Sequence, residues 1–370
     1  MKVLHLHAGV LYGGVETFLV TLARKENQEA DMDHVFATCF ESRLTDELRA
    51  VNADSVLLPG ARFSRPWTIL QARMMCNKLI RKIKPDVIIG HMAKSYWLFA
   101  PVAKRNKIPI VLYLHSPVTK DWVDLSCRQY QPELMIGVSQ HTLQTGKDLL
   151  FSDIKSAIIN YPMPFASDIF DQYKSERADV RAELQVGQDI VIFQATRMDS
   201  WKGHRELIEA LGLLKEVPNW VFVIAGGPQN PKEELYYEAL QEQAKSLGIA
   251  DKVRFLGRRK DVPRLLVASD IYCQANTGSE GFSLSFTEAF SAGLPVVTTD
   301  IGSACEVVPP EVGVLTPVRD APALASALRK LIENKNHREA LGAAARAHIV
   351  KLSATQQQIH RIYTELLELT

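Results

Sequence analysis

The chain has 370 residues, 46% apolar and 23% charged, with 43 Lys and Arg against 42 Asp and Glu. That length exceeds what one hydrophobic core usually serves, so two domains are expected. The composition is that of a globular protein, and the near-zero charge balance argues against a nucleic-acid binder. Residues 1–165 carry 20 basic against 15 acidic side chains and the remainder 23 against 27. A mildly basic first half leaves an anionic acceptor or a membrane surface open, beside ordinary surface variation. The cysteines Cys39, Cys76, Cys127, Cys273 and Cys305 are scattered without a C-x-x-C pair. That usage suits reduced thiols in a cytoplasmic protein rather than a disulfide framework or a zinc site. The opening MKVLHLHAGV, broken by two histidines, reads as a strand and not as a signal peptide. No run comes near the ~18 apolar residues of a membrane span.

In chain order, Val- and Ile-rich runs at 2–7, 34–40, 86–91, 108–115 and 134–138 predict strands, with helical patterns between them. One of these patterns, 69–84, sets Arg73, Lys78, Arg81, Lys82 and Lys84 opposite Ile69, Met75, Leu79, Ile80 and Ile83. Its apolar face is expected to pack on a sheet, with membrane-surface contact as the alternative. The stretch 158–166 (IINYPMPFA) breaks the rhythm, because Pro162 and Pro164 forbid a helix there. Strands follow at 189–196, 220–225, 252–256, 270–274 and 295–299, and helices at 204–215 and 232–247. Residues 321–349 and 354–369 also read as helical, the last with Ile359, Ile362, Tyr363 and Leu366 on one face. Continuous apolar strands alternating with helices indicate parallel sheets covered on both faces. The expected fold is therefore α/β with two Rossmann-like parallel-sheet domains. We place an N-terminal domain at 1–160, a linker at 161–168, a C-terminal domain at 169–350 and a terminal helix at 351–370.

Open parallel sheets bind ligands beyond the carboxyl ends of their strands. Strand 189–196 ends at Arg197, with Lys202 and Gly203 in the following loop, and a Gly pair at 226–227 follows the next strand. Residues 278–290 (GSEGFSLSFTEAF) place Glu280 in a loop and Glu288 on a helix beginning near Ser283 or Ser285. The amides of such a helix start, near Ser283 and Leu284, form an anion site. Glu288 has a plain alternative, since Ser285-x-x-Glu288 matches a capping box. Two cations beside a helix start suit a diphosphate, and the two carboxylates can accept hydrogen bonds from hydroxyls on either side of it. A ligand with that layout is a nucleotide sugar.

These stretches resemble glycosyltransferase family 4, retaining enzymes of the GT-B fold with two Rossmann-like domains facing across a cleft. The resemblance rests on E-x7-E (Glu280, Glu288), R-x4-K-G (Arg197, Lys202, Gly203), Gly13-Gly14-x-Glu16 and the strand-terminal His115, in the family's order over nearly the whole chain. It implies a sugar transferred from a UDP- or GDP-linked donor, bound in the C-terminal domain, to a hydroxyl acceptor on the N-terminal side. Glycan, polysaccharide or glycolipid synthesis would be served, with a glycan, a lipid-linked sugar or a small molecule as the acceptor. By the same resemblance Glu280 holds sugar hydroxyls, Glu288 the ribose, and Arg197 and Lys202 the diphosphate. Backbone groups of Phe282, Ser283, Leu284 and Gly14 help the two cations, and Gly13 shapes the turn. Gly226 lines the donor site, His115 lies near the reacting face of the sugar, and Arg258, in the turn 256–258, meets the base. The terminal helix is expected to pack back on the N-terminal domain. Ser283 departs from the family's usual glycine.

No metal or other cofactor is expected. Asp31-Met32-Asp33 has the Asp-x-Asp form but precedes its strand, on the wrong side to reach a diphosphate. The rival readings are a catalytically silent nucleotide-sugar binder, an NAD-type dehydrogenase and a sugar-nucleotide epimerase. A dehydrogenase would want G-x-G-x-x-G and would leave the two cations and two carboxylates unexplained. For the epimerase no acid–base pair is identifiable. The acceptor is not specified by the N-terminal loops 61–67 and 91–97.

Overall fold

The computed structural model describes the chain apart from Phe63 and residues 164–168, where much of the expected linker 161–168 falls outside the described residues. The chain forms two compact units, Met1–Pro164 with Ser353–Thr370, and Phe165–Leu352.

Unit 1 is a sheet of seven strands: β1 Lys2–His7, β2 Asp33–Thr38, β3 Ser55–Leu57, β4 Val87–His91, β5 Ile110–Leu114, β6 Leu134–Gly137 and β7 Ser156–Ile158. All pair in parallel, in the order β3-β2-β1-β4-β5-β6-β7. Strands β4 and β5 are buried at every position, as their unbroken apolar runs require. Helix Pro66–Ile83 packs Ala72, Cys76, Leu79 and Ile80 on the core, with Ile69 and Ile83 at its margin. Met75, expected on that face, points outward, while Arg73 turns inward to donate to the Leu98 carbonyl at 2.8 Å. The terminal helix Thr355–Leu367 belongs to this unit and buries Ile359, Ile362 and Leu366. Arg361 donates to the Ile158 carbonyl and Lys155 pairs with Glu368, each at 2.6 Å.

Unit 2 is a six-stranded parallel sheet of β8 Ile190–Ala195, β9 Trp220–Ala225, β10 Val253–Phe255, β11 Ile271–Gln274, β12 Val296–Thr299 and β13 Gly313–Thr316. Its order is β10-β9-β8-β11-β12-β13. Both units thus share one winding, in which the strand order reverses beside the first strand, between β1 and β4 and between β8 and β11. Two Rossmann-like sheets are what the sequence pattern predicts. The expected helix 321–349 is instead two helices, Ala321–Glu333 and Lys335–Leu352. Asn334 breaks the run with an extended backbone, and its side chain caps the second helix by accepting from the His337 amide at 3.0 Å. Among the described residues no helix is long and apolar enough to cross a membrane.

The buried histidines include His5, His34, His91 and His115 in unit 1 and His204 in unit 2. Burial holds these five below the ordinary histidine range, to about 4 for His34 and about 3 for His204. The folded chain therefore keeps these rings neutral, while the unfolded chain protonates them below about pH 6.5. Their contribution to stability is complete above about pH 6.5 and is lost as pH falls toward the folded values, by roughly 1.4 kcal/mol per pH unit for each ring. Urea midpoints measured at pH 7.5 and 5.5 should fall steeply toward the acid side; a flat dependence would contradict neutral burial.

Candidate active site

In unit 2, most of the residues singled out from sequence stand at carboxyl ends of strands around the reversal between β8 and β11, where an open parallel sheet leaves a crevice. The loop after β8 carries Arg197 and ends in a short turn, Ser200–Lys202. Gly203 follows at φ 73°, and a β-carbon there would lie 1.7 Å from the Ala275 carbonyl oxygen. This position therefore requires glycine, because the loops after β8 and β11 lie backbone to backbone. The Thr277 amide donates to the Trp201 carbonyl at 2.8 Å and closes the same contact.

That seam delivers Lys202 to Glu280. Lys202 Nζ donates to Glu280 Oε1 at 2.5 Å, and Glu280 Oε2 accepts from Gln274 Nε2 at 3.1 Å and Asn276 Nδ2 at 3.0 Å. Gln274 Oε1 in turn accepts from Ser285 Oγ at 3.0 Å and the Tyr272 hydroxyl at 3.1 Å. Gln274 and Asn276 were not singled out from sequence, although alternation along β11 into its loop places them on one face with Tyr272. Gly302, at φ 67°, backs the Glu280 loop, and the Ser303 amide donates to the Glu280 carbonyl at 3.2 Å. Arg197 pairs with Asp199 at 2.7 Å.

Ser283 holds the N-cap position of helix Leu284–Ser291, and its side chain makes no capping hydrogen bond. Phe282 and Ser283 are buried, and the first amides of the helix have no intrahelical acceptor. Ser285 is the second helical residue and its hydroxyl is engaged by Gln274 and Ser283, so Ser285-x-x-Glu288 is not a capping box. Burial raises the Glu288 carboxyl from its ordinary range to about 7. The side chain keeps partial surface exposure. Gly226 and Gly257 bridge at the ends of β9 and β10, with the Gly226 amide donating to the Gly257 carbonyl at 2.8 Å, which sets the exposed Arg258 beside that turn.

A cavity of about 1000 Å³ opens at the opposite, strand-start edge of unit 2, among Arg177, Arg181, Asp270 and Arg338. Its cations are already engaged: Arg177 and Arg181 pair with Asp270, and Arg338 bonds the carbonyls of Leu331 and Ile332.

In unit 1, the turn after β1 runs into helix Gly14–Ala23 with Gly13 as its cap. Glu16 organises that turn, since Oε2 accepts from the Gly13 amide at 2.8 Å and Oε1 lies 2.8 Å from His7 Nε2. His115 follows β5. Its ring is buried, with Nε2 2.9 Å from His91 Nδ1 and Nδ1 2.8 Å from the Tyr161 hydroxyl. Asp31 and Asp33 are exposed at the start of β2, away from the carboxyl ends. Among the described residues no cluster of three His, Cys, Asp or Glu side chains could hold a metal ion.

Two family models match the chain, "Glycosyltransferase Family 4" over residues 12–156 and "Glycosyl transferases group 1" over residues 176–348. Phosphatidyl-myo-inositol mannosyltransferase of Mycobacterium leprae is 32% identical over 179 residues, 47% of this chain and 46% of the relative. A GDP-mannose-dependent alpha-(1-6)-phosphatidylinositol monomannoside mannosyltransferase of Mycobacterium tuberculosis is 28% identical over 190 residues, 49% of this chain and 48% of the relative. The matches thus span about half the length of these curated relatives. Over the full length of both chains, the fold matches Anabaena Alr3699/HepE, solved in complex with UDP-glucose, at TM-score 0.86 and 21% identity. With one family model on each sheet and a full-length fold match, the chain belongs to glycosyltransferase family 4 and has the GT-B fold.

Proposed function

We propose that the chain is a glycosyltransferase that moves a sugar from a nucleoside-diphosphate sugar to a hydroxyl acceptor, with retention at the anomeric carbon and without a metal. The observation that carries this reading is the Lys202–Glu280 pair beside the start of helix Leu284–Ser291. Diphosphate binding there draws Lys202 and Arg197 toward phosphate oxygens, joined by the free helix amides. Glu280, still oriented by Gln274 and Asn276, then accepts from sugar hydroxyls. Glu288 accepts from the ribose, and the turns at Gly226 and Arg258 receive the base. The same reading gives Gly13, Gly14 and His115 donor-facing roles. When the glycosidic bond breaks, negative charge grows on the leaving diphosphate, and preorganised cations stabilise it without help from a divalent ion. The mannosyltransferase relatives make GDP-mannose the first donor to test, with UDP-glucose as the comparison.

The acceptor we infer is a glycolipid at a membrane surface. On helix Pro66–Ile83, Trp67 (65% exposed), Leu70 (61%) and Met74 (53%) form one outward stripe that Lys78 and Arg81 continue. An apolar stripe leading into cations is the pattern of a helix lying in an anionic lipid interface. Sedimentation with phosphatidylglycerol vesicles should therefore carry the protein down, and Trp67→Ser with Leu70→Ser should release it. Equal recovery with neutral vesicles, or no effect of the double variant, would contradict this acceptor.

Sugar transfer should survive EDTA, while Arg197→Ala or Lys202→Ala each lowers turnover by about 10²–10³. The double variant should lose less than the product of the two effects, because both groups act on one charge. Abolition by chelator, with rescue by magnesium or manganese, would show the leaving-group account to be wrong.

Ribose binding needs the ionised form of Glu288, which its raised pKa makes scarce on the acid side. Donor affinity followed by calorimetry should weaken as pH falls below about 7, and Glu288→Gln should flatten that dependence while lowering affinity throughout. An unchanged pH profile in the variant would remove Glu288 from the ribose site.

A further inference from the structure

Four histidines in unit 1 form a continuous hydrogen-bonded file. His34 Nδ1 lies 2.8 Å from His5 Nε2, His5 Nδ1 3.0 Å from His91 Nε2, His91 Nδ1 2.9 Å from His115 Nε2, and His115 Nδ1 2.8 Å from the Tyr161 hydroxyl. Register explains the file. His34 pairs with Val3 across β2 and β1, His5 with Ile89 across β1 and β4, and Tyr113 with His91 across β4 and β5. Each histidine is therefore two residues further along its strand than the one before, so all four share a face and climb it diagonally. The file begins near the start of β2 and ends at the carboxyl edge, where Phe18 covers His91, His115 and Tyr161 with ring centroids 5.3–6.0 Å away.

All four rings are buried and are held neutral by that burial. A neutral imidazole has one N–H and one lone pair. Three consecutive imidazole–imidazole bonds can then be satisfied together only head to tail, so one choice of tautomer fixes every ring. Because each link runs from Nδ1 to the next Nε2, the rings are either all Nδ1–H, donating toward Tyr161, or all Nε2–H, donating toward His34. The far end separates these states. His34 Nε2 is buried and has no partner among the described residues. In the first state it is a bare lone pair, and in the second a buried N–H without an acceptor, which is the rarer kind of orphan. The stacked neighbours Phe36 and Tyr113 leave the rings little room to turn over.

We propose that His34, His5 and His91 are positioning residues, which through this one-way file hold His115 as the Nδ1–H tautomer and the Tyr161 hydroxyl as its acceptor at the carboxyl edge of unit 1. The inference rests on the reading of His115 as part of the transferase site, while the polarity of the file does not depend on that reading. His115 thus has both ring nitrogens committed within the protein, and what it presents outward is a fixed ring and backbone.

Two arms test this. In the full chain with ¹⁵N-labelled histidine at pH 7.5, four ring spin systems should show a protonated Nδ1 and an unprotonated Nε2. An Nε2–H pattern, tautomer mixtures or protonated rings in the file would overturn the polarity, whether or not the protein transfers sugar. In the second arm, His91→Leu removes the donor to His115 Nε2, and His91→Asn replaces it with an amide N–H near the former Nδ1. His91→Leu should lower kcat at least about tenfold with an unchanged KM for the nucleotide sugar. His91→Asn should recover most of kcat although its melting temperature stays as low as that of His91→Leu. If kcat follows melting temperature through both variants, the file is only structural and the positioning role fails. Should His91→Leu not fold, His91→Asn decides: near wild-type kcat with a lowered melting temperature supports positioning, and a loss of kcat overturns it. A wild type inactive with every donor would sink the proposed function and the positioning role with it, while the spectrum would still decide the polarity.

Discussion

The ion pair between Lys202 and Glu280 is the interaction on which the candidate site turns. Both side chains are mostly buried, with 10% and 18% of their surfaces exposed, and removing either would strand the other's charge. Gln274 and Asn276 offset the loss of hydration by saturating the second carboxylate oxygen. The arrangement exists because the loops after β8 and β11 meet where the strand order reverses, and they can meet only because Gly203 has no side chain. On the function proposed above, this pair divides when a donor binds, Lys202 turning to a phosphate and Glu280 to a sugar hydroxyl.

Much of this was legible in the sequence, and the part that was not has a physical reason. Interior strands such as β5 and β9 are buried on both faces, so their apolar runs stood out. Strands β3, β7 and β13 were missed because they are three or four residues long, at or near sheet edges, and carry little apolar pattern. Arg197, Lys202, Glu280 and Glu288 could be found because their spacing, within strand-end loops and the helix that follows one of them, is local. That Lys202 would pair with Glu280, 78 positions away, depends on which strands are neighbours and could not be read from spacing. The capping-box alternative for Glu288 failed by two residues, since the helix starts at Leu284 and not after Ser285.

The histidine file illustrates the same limit more sharply. His5, His34, His91 and His115 are far apart in sequence, and each alone suggests an ordinary buried ring. Only the parallel register brings them onto one diagonal, at a cost in polar burial that neighbouring rings offset through hydrogen bonds. In unit 2 the buried polar side chains are concentrated at the carboxyl ends, while the strand-start edge uses Asp270 to tie Arg177, Arg181 and the Val191 amide together. The 1000 Å³ cavity of unit 2 lies at this stapled edge.

The central claim is that the reversal between β8 and β11 binds a nucleoside diphosphate sugar through the loops that carry Lys202 and Glu280. Amide hydrogen exchange of the full chain, measured free and saturated with GDP-mannose or UDP-glucose, tests it most directly. The account predicts that in unit 2 protection is concentrated at 197–203, 226–228, 256–258 and 278–288, and that Lys202→Ala abolishes it at equal donor concentration. Protection confined to the strand-start edge around Arg181 and Arg338, or none at 278–288 despite demonstrated binding, would contradict it.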